Sequence, residues 1–195
     1  RQANGYGGGL YADPKSPGTT TLHQCTFKLN TNRRYRGGGV CNYGDTIITE
    51  CLFENNEILD GGYGGGLSGG GTIRDTVFRG NYAAGHGGGV FFRRNSDVSG
   101  CLFEDNHAGL LGGGAVLSGV RASIKNTTFH ANKADGKGGG GIAILPYLQG
   151  GTQAELSFVT ITGNIGDYDC TTDGGSGCES DPGGGIYQED DTYTH

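Results

Sequence analysis

A two-part motif recurs along almost the whole chain and constrains the fold more than any other feature. The first part is a glycine triplet followed by an aliphatic residue or alanine, and it begins at residues 7, 37, 64, 87, 112, 139 and 183. The second part is a Phe-x-x-Asn segment that begins at Phe27, Phe53, Phe78, Phe103 and Phe129, with a degenerate copy at 161–164. A unit of about 25 residues cannot bury its own apolar face, so the repeats must stack on one another. The repeat therefore predicts a solenoid.

Alignment of the repeats on the Phe position indicates which side chains face the core. Two residues before the Phe position lie Cys25, Cys51, Thr76, Cys101, Thr127 and Val159, and five before it lie Leu22, Ile48, Ile73, Val98, Ile124 and Leu156. The Phe and the residue two before it share one face of a strand, whereas the residue five before it has the opposite parity. A bend or bulge is therefore expected between the residue five before the Phe and the residue two before it. Short strands between Gly and Asn corners, without a helical period, predict an all-β parallel β-helix.

The asparagine three residues after each Phe is predicted to form a corner. Asn adopts left-handed backbone readily and hydrogen bonds to neighbouring main chain. Amides at the same corner of successive coils can also bond to one another. The predicted structural ladder comprises Asn30, Asn56, Asn81, Asn106, Asn132 and Asn164, beside a core stack of Phe27, Phe53, Phe78, Phe103 and Phe129.

The alternation of Gly-Gly-x-aliphatic and Phe-x-x-Asn segments resembles the repeats of the polymorphic outer-membrane protein type and, more broadly, of secreted right-handed parallel β-helix proteins. The similarity covers about residues 5–165 and then 183–187. It implies a right-handed β-solenoid of about six to seven coils of roughly 25 residues, which we expect to form a single domain over 1–195. In that family the β-helix is a passenger that serves adhesion and surface display, which implies an extracellular or cell-surface location.

Charge and composition narrow the possible partners. The formal net charge of −6 disfavours nucleic acid and anionic membranes. No apolar run approaches the ~20 residues of a membrane span. Six cysteines without a metal-type Cys-x-x-Cys pair favour disulfides and an oxidising compartment. Because the chain begins with Arg1 and not Met, we expect a secreted product whose leader has been removed.

The cysteines fall into different classes. Cys170 and Cys178 are predicted to close a polar insertion at residues 166–182 with a disulfide. Cys25 and Cys51 occupy the same inward position on coils about 4.8 Å apart, which predicts a second disulfide, with reduced core thiols as the alternative. Two cysteines remain. Cys101 is expected to be a buried free thiol, and Cys41 is expected to face outward, either free or bridged to another subunit.

Two weaker sites follow from short motifs. Asp167, Asp169 and Asp173 are spaced as in part of a calcium loop, although its twelfth position holds Cys178 instead of a bidentate acid. Calcium is thus the one candidate cofactor, and a solvated acidic loop is the alternative. Asn126 begins an Asn-x-Thr glycosylation acceptor and should be exposed, because Thr127 is predicted to face inward.

No catalytic residues are predicted. Gly85-His86-Gly87 resembles the Gly-His-Gly of β-helical polygalacturonases, but the other residues of that family's set are not found at matching positions. Glycoside hydrolysis needs two carboxylates that flank one bond, and no such pair aligns on one face. His86 is instead expected at the edge of a glycine turn. Phe91, Tyr11 and Tyr187 share an outward position and form either a glycan-stacking stripe or scattered surface aromatics.

The sequence predicts a non-catalytic extracellular structural protein. Neither end of the repeat array offers an amphipathic capping helix, and exposed strand edges pair readily with other strands. Addition of the last strands of one copy to the first strands of the next would build an open fibre, so copies of the chain are the predicted partners. The alternative is a monomeric or anchored adhesin that binds surface glycans. A polysaccharide lyase or hydrolase is less favoured.

Overall fold

The computed structural model describes residues 5–12, 18–136, 138–146, 151–166 and 184–189. Every regular element in these ranges is a β-strand, and none of the described residues forms a helix long and apolar enough to cross a membrane. In chain order the strands are β1 (Leu10–Ala12), β2 (Thr19–His23), β3 (Thr26–Lys28), β4 (Thr31–Asn32), β5 (Val40–Asn42), β6 (Asp45–Thr49), β7 (Leu52–Glu54), β8 (Glu57–Ile58), β9 (Leu67–Arg74), β10 (Val77–Arg79), β11 (Tyr82–Ala83), β12 (Val90–Ser99), β13 (Leu102–Glu104), β14 (His107–Ala108), β15 (Ala115–Ser118), β16 (Arg121–Lys125), β17 (Thr128–His130), β18 (Lys133–Ala134), β19 (Ile142–Leu145), β20 (Gln153–Ser157), β21 (Thr160–Thr162), β22 (Ile165–Gly166) and β23 (Ile186–Gln188).

The strands form three parallel sheets. Sheet A has 11 strands and contains those that follow the glycine triplets, in the order β1-β5-β9-β12-β15-β19-β23, together with those that precede the Phe. Sheet B holds the Phe strands, in the order β21-β17-β13-β10-β7-β3, and sheet C holds the strands after the asparagines, in the order β22-β18-β14-β11-β8-β4. Each strand pairs with its counterpart one repeat later, as Phe53 does with Phe78. The predicted parallel β-helix is confirmed, although the six rungs of sheet B enclose about five full turns, slightly fewer than predicted.

Two left-handed residues in each coil bend the chain around the Phe strand. One lies three residues before the Phe position and the other two residues after it, and all have φ between 48° and 65°. The first of these residues explains the parity change, so the expected bend is present. At the second corner the left-handed residue is the one before the ladder asparagine, as Asn55 is before Asn56. The expectation that the ladder asparagine itself adopts this backbone is wrong, because its amide points into the interior.

The core consists of side-chain columns that run along the solenoid. Phe53, Phe78, Phe103 and Phe129 are completely buried, and Phe27 on the first rung is half-buried. Successive ring centroids of these five residues lie 4.5 to 5.0 Å apart, with ring planes within 17° of parallel. Aliphatic side chains from sheet A, such as Ile73 and Val98, pack against this stack. The repeat therefore places like side chains in contact along the whole described array.

The glycine triplets allow the chain to turn into sheet A against the neighbouring coil. The first glycine of a triplet is left-handed, as Gly64 is with φ 74°. A Cβ on the second glycine, Gly65, would collide with the backbone carbonyl oxygens of Gly88 and Tyr82. The triplets are therefore required by backbone geometry and close approach.

Candidate functional site

The six asparagines form a continuous hydrogen-bonded ladder at one corner. The side-chain Nδ2 of Asn81 donates to Asn106 Oδ1 in the next coil at 2.9 Å and to the backbone oxygen of Phe53 in the preceding coil at 2.9 Å. The backbone N–H of Asn81 donates to the same Asn106 Oδ1 at 3.0 Å. Equivalent bonds link Asn30, Asn56, Asn106, Asn132 and Asn164.

The ladder has a direction, because every step donates toward the next coil. At its first rung, Asn30 Oδ1 accepts no hydrogen bond from a described residue. At its last rung, the backbone N–H of Asn164 donates to none of them. The two ends of the ladder therefore expose opposite hydrogen-bonding groups.

The terminal rungs also leave core positions half-covered. Leu10, Cys25 and Phe27 on the first rung are only partly buried, whereas their counterparts in the interior are almost completely buried. The same is true of Leu156, Val159 and Ile161 on the last Phe-type rung. Three apolar side chains on these rungs are strongly exposed: Leu29 (69%), Ile165 (54%) and Phe158 (88%).

Cys25 and Cys51 are free thiols, so the predicted disulfide between them is not formed. The backbone N–H of Cys25 lies 3.4 Å from Cys51 Sγ. Each sulfur instead points at the backbone carbonyl two residues earlier, Cys25 to His23 at 3.4 Å and Cys51 to Thr49 at 3.2 Å. Both thiols thus serve as hydrogen-bond donors at the bend, the role that Thr76 and Thr127 hydroxyls play in other coils.

Cys101 is a buried free thiol, and burial raises its pKa to about 11. Cys170 and Cys178, the other predicted pair, lie outside the described residues. The candidate calcium ligands Asp167, Asp169 and Asp173 lie there too, as does the insertion 166–182 apart from Gly166. Within the described ranges, no group of three or more His, Cys, Asp or Glu side chains is arranged to hold a metal ion.

Cys41 is a free thiol on the outer face of sheet A, as predicted, but it is not accessible to solvent as that position implied. Its side chain projects from the outer face of sheet A and is completely buried there. This burial raises the pKa of the thiol to about 12. The residues that precede the glycine triplets lie over this face and form an outer cluster with its side chains, in which Leu111 packs with Val116 and Ala143. Sequence parity alone could not reveal this second layer.

The outer cluster also covers much of the predicted aromatic stripe. Phe91 and Tyr187 are partly buried against the cluster, and Tyr63 lies over Phe91 with ring centroids 5.0 Å apart. Tyr11 remains 43% exposed. His86 precedes the left-handed Gly87, as expected, and stacks on Tyr63 at 5.3 Å, while burial lowers its pKa.

An open groove of about 750 Å³ follows the outer face of sheet A across β6, β9, β12, β16 and β20. Its carboxylates are exposed and ion-paired: Asp45 with Arg94 at 3.2 Å, Asp97 with Arg74 at 3.6 Å, and Glu155 with Lys125 at 3.8 Å. Sequence reasoning missed this groove. Its signal is the mostly polar set of residues at the outward positions six and eight before the Phe position, with Ile47 and Gly70 as the exceptions.

Charges of alternating sign run along the outer face of sheet B, directly after the Phe positions. Lys28 pairs with Glu54 at 2.5 Å, and Arg79 pairs with Glu104 at 2.7 Å. The glycosylation candidate Asn126 is exposed at a left-handed corner, and Thr127 beside it is buried. Its modification stays a prediction.

The comparisons with known proteins support the architecture. A family model described as "Right handed beta helix region" matches residues 8–186. Comparisons with curated proteins and with solved structures found no match. Since the matched region spans most of the 195 residues, the chain belongs to the right-handed β-helix family.

Proposed function

We propose that this protein is a non-catalytic structural subunit that stacks end to end into an extracellular filament. The observation that carries the proposal is the complementarity of the two ladder ends. In a stacked pair, the backbone N–H and Nδ2 of Asn164 would donate to Asn30 Oδ1 of the next copy. Asn132 already makes these two bonds to Asn164 within one chain, at 2.9 and 2.8 Å.

Burial of the terminal core positions supports the same contact. Phe27 would lie on Ile161 of the neighbouring copy, as Phe129 lies against Ile161 in register within the chain. Phe158 and Leu29 are bulky residues at left-handed corners, a costly arrangement. The equivalent interior corners carry polar residues, glycine or alanine. Apolar corner residues on the terminal rungs are what a contact between copies would use.

The charges on the last rung of one copy and the first rung of the next are compatible with close stacking. The facing side chains would be Gln153 and Thr19, Glu155 and Thr21, Ser157 and His23, Thr160 and Thr26, and Thr162 and Lys28. No pair brings together two groups of like charge. The charged side chains on these edges, Lys28 and Glu155, would each face a neutral threonine.

A non-catalytic role is supported by the carboxylates of the groove. Glycoside cleavage uses a pair of carboxyl groups, of which the general acid lies buried in an apolar setting. Asp45, Asp97 and Glu155 have the opposite setting, because each is more than half exposed and lies beside a cation.

Sedimentation and electron microscopy of matched variants test the filament. Thr162→Lys would place a lysine opposite Lys28 of the next copy, and Thr162→Glu would place an opposite charge there. We expect the first variant to remain monomeric at low salt and the second to assemble at least as well as the natural protein. Filaments should show an axial repeat of about 29 Å, from the six rungs of sheets B and C at about 4.8 Å each, with β1 of the next copy taking the place of β23 beside β19. Equal behaviour of the two variants, or single particles at all concentrations, would overturn the proposal.

Protection of Cys25 gives an independent readout. This thiol is half-exposed on the first rung, and the stacked neighbour would cover it. Alkylation mapped by peptide mass spectrometry should therefore slow at Cys25 when the protein assembles and remain fast in Thr162→Lys. Unchanged alkylation of Cys25 in assembled protein would place the contact elsewhere.

The groove favours a second candidate, an adhesin that binds neutral glycans through sheet A. Its lining offers hydroxyl, amide and guanidinium groups from Thr72, Asn95 and Arg121. The Ser123 hydroxyl there is buried and has no hydrogen-bond partner in the described part of the chain. Titration of neutral oligosaccharides into the Thr162→Lys variant tests this role. Binding lost on Arg121→Ala would favour the adhesin, and absence of binding would eliminate this site.

A further inference from the structure

A cluster of aromatic and cationic side chains lies beside the groove, on the first coils of the solenoid. We name it the tyrosine–arginine patch, and it comprises Tyr6, Tyr11, Tyr35, Tyr43, Arg36 and Arg93. The ring centroid of Tyr6 lies 5.3 Å from that of Tyr11 and 5.4 Å from those of Tyr35 and Tyr43. Tyr6, Tyr11 and Tyr35 are 37%, 43% and 55% exposed, so the ring cluster is open to solvent.

The two arginines of the patch lack acceptors for buried nitrogens. The guanidinium of Arg93 lies 4.6 Å from the Tyr43 ring, and that of Arg36 lies 5.7 Å from the Tyr63 ring. The Nη1 atom of each is buried without a hydrogen-bond partner among the described residues, and neither arginine forms an ion pair with a carboxylate in that part of the chain. By contrast, the adjacent Arg94 binds Asp45 and the Tyr43 carbonyl. A buried cationic donor without an acceptor is costly, which points to a missing anion.

The backbone explains how these groups meet. Strand β9 pairs with β5 on one side and with β12 on the other, and its register with β12 shifts between Phe92 and Ser96. Arg93 lies in this irregular segment, and its guanidinium reaches over the intervening coil to within 4.6 Å of the Tyr43 ring centroid. Arg36 acts electrostatically on Tyr43 too, so both guanidinium groups lie near one phenol. Burial, followed by a hydrogen bond with Tyr6, raises the pKa of Tyr43, which keeps its hydroxyl neutral and able to donate.

The surroundings add positive charge to a chain that is acidic overall. Arg33 and Arg34 are exposed and directly precede Tyr35. A neighbouring pocket of about 570 Å³ is lined by Arg34, Tyr35 and Tyr63, with Asp60 as its acidic residue. Guanidinium groups bind carboxylate and sulfate in a bidentate manner, and tyrosine rings present apolar faces on which sugar rings stack.

We propose that the tyrosine–arginine patch binds the carboxylate or sulfate groups of an acidic polysaccharide, with Arg36 and Arg93 on the anion and the exposed tyrosines against the sugar rings. This site differs from the groove in residues and in ligand charge. It does not depend on end-to-end association, since every member lies within one chain.

Binding of defined polymers to the Thr162→Lys variant tests the site separately from the filament. The probes are polygalacturonate for carboxylate, dextran sulfate for sulfate, and neutral dextran. We expect one or both acidic polymers to bind at low salt and neutral dextran not to bind. Arg93→Gln and Arg36→Gln should each weaken binding by about tenfold, since a charge-assisted contact is lost. Arg74→Gln is the matched control, because Arg74 lies on sheet A outside the patch and should leave affinity unchanged.

Two further measurements keep the test independent of folding. Tyr35→Ala removes an exposed ring and should weaken binding without changing the thermal midpoint, which is checked for every variant. Arg93→Lys keeps the charge but not the fork of donors, and should restore only part of the affinity. The proposal is overturned if no polymer binds or if Arg74→Gln weakens binding as much as Arg93→Gln. Equal binding of neutral dextran or of single-stranded DNA would likewise overturn it.

Discussion

Asn81 and Asn106 are joined by two hydrogen bonds that share one acceptor, the Oδ1 atom of Asn106. The backbone N–H of Asn81 donates to it at 3.0 Å and its side-chain Nδ2 at 2.9 Å. Both residues are completely buried. The side-chain amide oxygen of one coil thus accepts hydrogen bonds from the backbone and the side chain at the corner of the preceding coil. Repeated from coil to coil, these bonds join the corners into one cooperative column.

Replacement of Asn81 with alanine should strongly destabilise the solenoid. The change removes the acceptor for Asn56 and the donor to Phe53, and leaves buried main-chain groups without partners. We expect a loss of about 2 to 4 kcal/mol in the free energy of unfolding, measured by urea titration. Asn55→Gly is the control: Asn55 is exposed and left-handed, and glycine occupies the equivalent Gly80. A similar loss in both variants would contradict the role of the ladder.

Gly64→Ala and Gly61→Ala separate steric collision from backbone strain. Both glycines are left-handed, with φ of 74° and 72°. A Cβ at Gly64 would collide with the Leu67 carbonyl, whereas a Cβ at Gly61 would meet nothing within 4 Å. We therefore expect Gly61→Ala to cost about 1 kcal/mol and Gly64→Ala at least about 3 kcal/mol in thermal or urea unfolding. Equal costs would mean that the triplets are not needed for close packing of coils.

The position of a phenylalanine in the stack should decide its contribution. Phe78 is completely buried, with neighbours at 4.7 and 4.9 Å, whereas Phe27 is half-buried with one neighbour at 5.0 Å. Phe78→Ala should cost about 3 to 5 kcal/mol in unfolding free energy. Phe27→Ala in a monomeric background should cost about half as much. If Phe27→Ala were the more damaging change in that background, the first rung would not be the open end described above.

Alkaline pH should destabilise the fold through two thiols. Burial raises the pKa of Cys41 to about 12 and that of Cys101 to about 11, from a reference of 9.0. Below pH 9 both states keep these protons and the stability is complete. As pH rises further, the unfolded chain loses protons first, so each thiol should lower stability by about 1.4 kcal/mol per pH unit up to its folded pKa.

The measurement compares urea unfolding at pH 8 and pH 10.5 under reducing conditions. The double variant Cys41→Ala with Cys101→Ala is the reference, because all other titrating groups are shared. The natural protein should lose more stability than this variant over the interval. Parallel pH profiles would mean that neither thiol is protected from ionisation in the folded state.

Much of the architecture was predictable because the repeat fixes which residue lies above which. The inward positions of Phe78 and Ile73, the parallel stacking and the bend between strands all follow from that period. The site was less predictable. The sequence favoured a Cys25–Cys51 disulfide over reduced thiols, because it does not show where each sulfur points. It did not indicate the burial of Cys41, which depends on a second layer of chain.

By itself, the sequence determined that this protein stacks like residues in columns, because an unchanging motif can bury its apolar face only against its own copies. Tertiary structure alone decided what covers the outer face of sheet A and which distant groups meet there. Tyr43 and Arg93 are 50 residues apart, yet the Arg93 guanidinium lies 4.6 Å from the Tyr43 ring centroid. Their contact depends on the path of segments between the motifs, whose lengths vary from coil to coil and carry no periodic signal.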